Sequence, residues 1–272
     1  MHVIRIDDGR DPRLDDYAGV REPARLADRG LLIAEGRFIV RRLIAETPVR
    51  VRSLLLNEAA FGALAESLER AALSCDVYVA APEVITAAAG FHLHRGCLAV
   101  AERPPALSLD TVVATSQFVV VLERAVDADN VGSVFRSAEA VGVDAVLLSP
   151  GCCDPFYRKA LRTSSGSALV VPFAEAGPWP VVLDRLRDDG FAIAAAMPRE
   201  AAEDIGVFAG TPAARGRIAV LLGTEGQGLT AEALARADVR VRIPMTGLLD
   251  SLNLATAAGI VLHRLHDARS SP

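Results

Sequence analysis

Apolar and polar positions along this chain fall into short runs whose period switches repeatedly between two and about 3.6 residues. From Leu31, LLIAEG reads as a strand, and RFIVRRLIAE, with apolar residues three and four apart, reads as a helix ending before Pro48. VRSLLL, DVYVA and GCLAVAE follow as strands, separated by a helix over Glu58–Leu73 and a short one over Pro82–Ala89. Such alternation predicts a small α/β domain. Residues 1–30, rich in Arg and Asp and interrupted by Pro12 and Pro23, predict a short helix or arm ahead of it. The stretch ERPPALSLDTVVATSQ has two prolines and no period, which predicts a linker over 105–117 between residues 1–104 and 118–272.

Beyond that stretch the strands strengthen: FVVVLE, AVLLS, ALVVPF, FAIAAA, IAVLLG and VRIP are nearly continuous apolar runs. Helices are expected from Asn130, near Pro155–Arg162, over Pro180–Asp189, over Thr230–Ala237, and after Ser251-Leu252-Asn253. Apolar runs each followed by a helix imply a parallel sheet covered on both faces. The last helix has no charged residue between Asn253 and Leu262, which predicts that it is mostly buried.

Composition narrows the reading. A chain of 272 residues has room for two domains, and 51% hydrophobic residues excludes a disordered chain. A net charge of −5 argues against gripping nucleic acid by bulk charge and leaves a local basic face open. Lys159 is the only lysine among 29 basic residues, so cationic contacts fall to arginine, whose planar fork suits phosphate. On the first helix Arg37, Arg41 and Arg42 share one face by spacing, as a solvated surface or as a phosphate contact. No apolar run approaches the ~20 residues of a membrane helix and no signal-like start is present, so a cytoplasmic protein is expected. Cys75, Cys97, Cys152 and Cys153 lack metal-ligand spacing, and an adjacent pair is a poor disulfide framework. Reduced thiols and no metal site are expected.

In open α/β sheets ligands lie beyond the carboxyl ends of the strands, which selects the loops after FVVVLE, IAVLLG and VRIP. In the first, Asn130 can cap the following helix, while Gly132 and Arg136 lie one turn apart on its outer face, where a missing side chain admits a phosphate or ribose. A capped helix with an exposed arginine would read the same way. In the second, GTEGQGLT has three glycines that open unusual backbone conformations. It lacks the Gly-Lys-Ser/Thr ending of a phosphate loop, and Glu225 suits a cation or a hydroxyl better than a phosphate. The third runs from Pro244 to Asn253 and opens the last helix, whose free backbone groups suit a small ligand.

Taken in order, N-x-G-x-x-x-R, L-G-T-E-G-x-G-L and I-P-M-x-G-x-x-D-S-L-N resemble the SpoU/TrmH-type RNA 2′-O-ribose methyltransferases of the SPOUT superfamily. Arg162-Thr163-Ser164-Ser165-Gly166-Ser167 followed by Pro172 is similar to that family's R-A-S-x-G-A…P segment, and AEGRFIV and RGCLAVAERP resemble its ribosomal-protein-like substrate-binding domain. The resemblance implies an α/β knot from about Phe118 onward, with a smaller N-terminal α/β domain over 1–104 that binds RNA. It implies S-adenosylmethionine as cofactor, a homodimer whose active site draws on both subunits, and RNA as substrate, ribosomal RNA ahead of transfer RNA. Carried over by position, Asn130, Arg136, Glu225, Ser251 and Asn253 fall on the family's catalytic polar positions. Leu222, Gly223, Thr224, Ile243, Met245, Gly247 and Leu252 fall on its cofactor-binding positions. Arg37, Arg41, Arg42 and Arg162 are the RNA-binding candidates. Thr224, Asp250 and Leu254-Ala255 depart from the commoner family residues without removing a functional group. A guanidinium is a poor base at neutral pH, so Arg136 is expected to hold a phosphate and stabilise developing charge while Glu225 orders its loop. A non-catalytic RNA- or cofactor-binding regulator and an unrelated nucleotide-binding enzyme are the alternatives, though the sequence offers neither a phosphate loop nor a general-base histidine.

Overall fold

A computed structural model of the chain describes residues 1–18, 23–91, 93, 96–198 and 201–270. The chain divides into two units, one formed by Met1–Pro105 with Pro155–Val170, the other by Ala106–Asp154 with Val171–Pro272.

The first unit contains β1 (His2–Ile6), α1 (Asp15–Ala18), α2 (Pro23–Asp28), β2 (Leu31–Glu35), α3 (Arg37–Glu46), β3 (Val51–Leu56), α4 (Glu58–Arg70), β4 (Asp76–Ala80), α5 (Pro82–Ala89) and β5 (Cys97–Glu102). Among the described residues these strands make a mixed five-stranded sheet in the order β1-β4-β3-β5-β2, with β2 and β3 antiparallel to β5. The N-terminal arm expected over 1–30 is in part a strand. HVIRI pairs parallel with β4, from His2 beside Asp76 to Ile6 beside Ala80, because this edge lets Ile6 enter the core. Leu14, Tyr17, Leu31, Leu55, Ile85 and Leu98 pack in that core. Tyr17 is fully buried, its hydroxyl 2.8 Å from Ser53 Oγ, and burial pushes its pKa well up. Burial likewise lifts the Cys97 thiol to about 12.

The remaining elements are α6 (Leu109–Thr115), β6 (Phe118–Glu123), α7 (Ala128–Ala140), β7 (Ala145–Leu148), α8 (Arg158–Thr163), β8 (Phe173–Glu175), α9 (Val182–Asp188), β9 (Ala192–Ala196), β10 (Glu203–Asp204), α10 (Ile205–Phe208), α11 (Pro212–Arg215), β11 (Ile218–Gly223), α12 (Ala231–Leu234), β12 (Val239–Arg242) and α13 (Leu254–Ser270). All but α8 belong to the second unit. Its described strands form one parallel seven-stranded sheet, ordered β10-β12-β9-β11-β6-β7-β8. Val119, Val121, Leu147, Ile193, Ala195, Ala219 and Leu221 fill the core on one side of it. A smaller N-terminal α/β domain and a parallel C-terminal sheet are the architecture the sequence implies, and the mixed pairing of the first sheet is added by the structure.

Several local expectations are corrected. Within 105–117, the stretch expected to be a linker, Ser108 accepts from Thr111 N and starts α6, whose Val112 and Val113 are buried in the core. ALVVPF does not form one strand: Ser167–Leu169 make a tight 3₁₀ turn, and pairing begins only at Phe173, beyond Pro172, which has no N–H to give a ladder. The helix expected over Thr230–Ala237 shortens to α12, with Thr230 as its cap. The last helix is not mostly buried. Leu254, Ala258, Val261, Leu262 and Leu265 face inward, while Thr256 and Ile260 are exposed, so the outer face of α13 is uncharged over its first two turns, with Arg264 and Asp267 exposed beyond them. Among the described residues no helix is long and apolar enough to cross a membrane.

Candidate active site

Because β9, β11 and β12 run parallel and in register, their carboxyl ends open on the same edge of the sheet, Val241 level with Ala196 and Leu221 with Ala195. A cleft open to solvent lies there, with about 750 Å³ of empty space when the solvent at its mouth is counted. Of the expected cofactor contacts, Leu222, Gly223, Thr224, Ile243, Met245 and Leu252 line it, and Gly247 does not. The polar candidates Glu225 and Ser251 line it as well. A further wall, Ala196-Met197-Pro198 at the end of β9, escaped the sequence reading because AIAAA carries no polar residue to mark its end.

The loop after β11 folds back on itself. Gly228 N donates to Thr224 O at 2.9 Å, and Gly226 and Gly228 hold φ of 79° and 67°. A Cβ on Gly223 would meet Gly228 C at 2.4 Å and Leu229 N at 2.5 Å, backbone atoms that cannot swing aside, so a side chain there would break the turn. The foot of the loop is pinned by a residue the sequence reading passed over. Glu123, fully buried at the end of β6, accepts hydrogen bonds from Thr230 N at 2.9 Å, Thr230 Oγ1 at 2.7 Å and Trp179 Nε1 at 2.8 Å. Three donors offset the cost of burying this polar group.

Asn253 links the three loops. Its Nδ2 donates to Asn130 Oδ1 at 2.9 Å and to Glu225 Oε1. Its Oδ1 accepts from Thr256 N at 3.2 Å, which caps α13, and Leu254 N donates to Glu225 Oε1 at 3.3 Å. A carboxylate thus sits at the positive N-terminal end of a long helix. Asn130 is buried inside the first turn of α7 and does not cap it. Asp127 does, accepting from Asn130 N at 2.9 Å, which leaves the Asn130 side chain for Asn253. Arg136, on the outer face of α7, is exposed and makes no hydrogen bond or ion pair with the described residues. Burial pushes up the pKa of the nearby Cys152 thiol, whose Sγ donates to Leu122 O, so it is no nucleophile at neutral pH.

The arginines read as RNA contacts separate. Arg37 and Arg41 are exposed on α3, with the Arg41 guanidinium 5.6 Å from the ring of Phe38, itself 48% exposed. Arg42 is buried, donating to Glu46 at 2.8 Å and to Ser165 O at 3.2 Å, and does not share that face: one residue on from Arg41 turns the side chain through about 100°. Arg162, on α8, lies 3.4 Å from Glu35 and is about half exposed.

Residues 117–263 match the profile of the SpoU rRNA Methylase family. An uncharacterized tRNA/rRNA methyltransferase of Mycobacterium tuberculosis is 42% identical over 269 residues, which cover 97% of this chain and 91% of that protein. The 23S rRNA (guanosine(2553)-2′-O)-methyltransferase of Bacillus subtilis is 24% identical over 261 residues, covering 96% of this chain and 98% of that one. The crystal structure of an AdoMet-bound rRNA methyltransferase of Sinorhizobium meliloti superposes with a TM-score of 0.81 at 22% identity and 99% coverage of both chains, a likeness of fold. The three loops gathered by Asn253 lie within the matched segment, and the relatives span both units: the chain belongs to the SpoU rRNA methylase family.

Proposed function

We propose that this protein methylates a ribose 2′-hydroxyl of ribosomal RNA and does so as a homodimer. As a SpoU family member it is an S-adenosylmethionine-dependent RNA 2′-O-ribose methyltransferase. The observation that carries the reading is the Asn130–Asn253–Glu225 bridge at the mouth of the cavity, which ties the polar residues of all three motif loops into one rim.

The residues lining the cavity fit the cofactor in their chemistry. Leu222, Ile243 and Leu252 offer apolar surface, the glycines of the β11 loop offer backbone groups, and Glu225 offers a negative charge suited to a cationic sulfonium. When bound there, S-adenosylmethionine supplies an electrophilic methyl group. Asn253 and Ser251 orient the ribose and the cofactor, Glu225 orders the β11 loop and the start of α13, and Arg136 holds a phosphate and stabilises negative charge growing on the 2′-oxygen. Ribosomal RNA is favoured over transfer RNA because the Bacillus enzyme, matched over nearly its whole length, is named for 23S rRNA. Recognition falls to residues 1–104, where Arg37, Arg41 and the exposed ring of Phe38 combine cations with a stacking surface, and catalysis to 118–272. The second copy covers the uncharged outer face of the first two turns of α13 and the adjoining loop, whose Leu248 and Leu249 are 88% and 68% exposed. A cytoplasmic location completes the proposal.

The test is transfer of tritiated methyl from S-adenosylmethionine to unmodified rRNA and tRNA transcripts, followed by alkaline hydrolysis. Label in alkali-resistant dinucleotides of rRNA is expected. Label in tRNA alone would reassign the substrate, and binding without label would make the protein a regulator.

A further inference from the structure

At the carboxyl end of β6, Arg124 adopts a left-handed backbone, φ 50°, a conformation that glycine takes freely and an arginine takes only when its surroundings impose it. Two hydrogen bonds impose it: Arg124 N donates to Ser149 Oγ at 2.9 Å, and Cys153 N donates to the carbonyl of Ala125 at 2.8 Å. Both are made at main-chain atoms of this turn, so any residue at 124 would keep them. These two bonds therefore do not call for the side chain, and glycine would take the turn without backbone strain.

The arginine also lacks a counter-charge. Its guanidinium makes no hydrogen bond or ion pair with the described residues, and its Nε is shut off from solvent with no acceptor. The two carboxylates flanking it in sequence are engaged, Glu123 by Thr230 and Trp179, Asp127 by the first turn of α7. Its backbone stands beside the site. Glu123 is the register partner of Gly223, so Arg124 leaves the sheet about one strand spacing, ~4.8 Å, from the loop carrying Thr224 and Glu225. It is absent from the cavity lining, which is built on the ends of β9, β11 and β12 and on α13, so an anion paired with it would lie outside the cofactor pocket.

We infer that Arg124 is a phosphate-binding residue for the RNA strand being methylated, a positioning contact additional to Arg136. The inference rests on the methyltransferase reading above. The test compares wild type with Arg124→Gly and Arg124→Gln, using in vitro-transcribed 23S rRNA in filter binding across a series of NaCl concentrations, methyl transfer, calorimetric titration with S-adenosylmethionine, and thermal melts. Arg124→Gly is expected to melt at or above the wild-type temperature and to bind S-adenosylmethionine as wild type does. Its kcat/KM for RNA should fall about 10-fold or more, with a slope of log affinity against log salt shallower by ~0.7–0.9, the signature of one lost phosphate contact. Arg124→Gln should lose RNA activity equally. Wild-type RNA affinity and salt slope in both variants would overturn the inference, as would a loss confined to S-adenosylmethionine affinity. If wild-type protein itself labels no RNA, the methyltransferase reading fails, a result distinct from either.

Discussion

Replacing Asn253 with alanine removes two things at once. The first is the cap of α13, Thr256 N to Asn253 Oδ1, whose loss costs about 1 kcal/mol. The second is the donor to Asn130 Oδ1, an acceptor on a buried side chain, which left unpaired costs about 1–3 kcal/mol. The bond to Glu225 adds little, since that carboxylate is exposed and finds water. The expected destabilisation is therefore about 2–4 kcal/mol. In a unit of this size, with about 2–4 °C per kcal/mol, the melting temperature should fall by roughly 5–15 °C. Asn253→Asp separates the two effects, because it keeps the capping oxygen and turns the donating amide into an oxygen facing Asn130 Oδ1 and Glu225. Repulsion raises the carboxyl pKa values in the folded state above their unfolded values, so the folded protein holds a proton more tightly and stability recovers as pH falls from 7 toward 5. Asn253→Ala should show no such recovery. Differential scanning calorimetry at pH 5, 6 and 7 reads both. An alanine variant melting within 2 °C of wild type, or an aspartate variant whose deficit is independent of pH, would refute the bridge as the element joining the loops.

Four further outcomes are expected. Glu225→Gln keeps an acceptor for Asn253 but removes the charge at the α13 N-terminus, so calorimetry should show weaker S-adenosylmethionine binding with little change in RNA binding; unchanged cofactor affinity would contradict the role given to Glu225. Arg42→Ala should lower stability by about 1–3 kcal/mol in urea unfolding, whereas Arg41→Ala should leave stability within about 0.5 kcal/mol and make the salt dependence of rRNA binding shallower. The Cys97 thiol stays protonated in the folded state up to about pH 12 while the unfolded thiol ionises near 9.0, so stability should fall by about 1.4 kcal/mol per pH unit above that value, and Cys97→Ala should flatten the slope of urea-derived stability between pH 9 and 11. Ile260→Arg, on the outer face of α13, should convert a dimer to a monomer in sedimentation equilibrium, and a fully active wild-type monomer would sink the dimer proposal.

The sequence made the strands legible because a parallel sheet covered on both faces demands apolar runs, and FVVVLE, AIAAA and IAVLLG have no other use. It made the β11 loop and the start of the last helix legible because Gly223 and Glu225 in the one, and Asn253 at the other, are unusual where they stand. What it hid was carried by geometry. Asp127 and Asn130 are both good caps, and only the position at which the helix begins decides that Asp127 takes that role and frees Asn130 for Asn253. Arg42 shares a spacing class with Arg37 and Arg41, yet it sits past the edge of the exposed arc and points at Ser165, a residue far along the chain. Glu123 read as the polar end of a strand, when its partners Trp179 and Thr230 lie in segments whose approach no local pattern records. The strand HVIRI was obscured by its arginine, which faces solvent from a sheet edge.

The placement of Pro155–Val170 with the N-terminal unit sets an order of events during synthesis. Glu35 is mostly covered and takes its charged partners from Arg158 and Arg162, while Arg103 stacks over Phe156 at 5.1 Å. A nascent chain that has emerged only as far as Pro105 holds Glu35 and Arg103 without these companions, and it must wait for some sixty-five further residues before its first unit can close. A gene fragment stopped at Pro105 encodes that waiting state, and one started at Ala106 encodes Pro155–Val170 with nowhere to dock, so the two halves of this enzyme cannot be separated by a single cut.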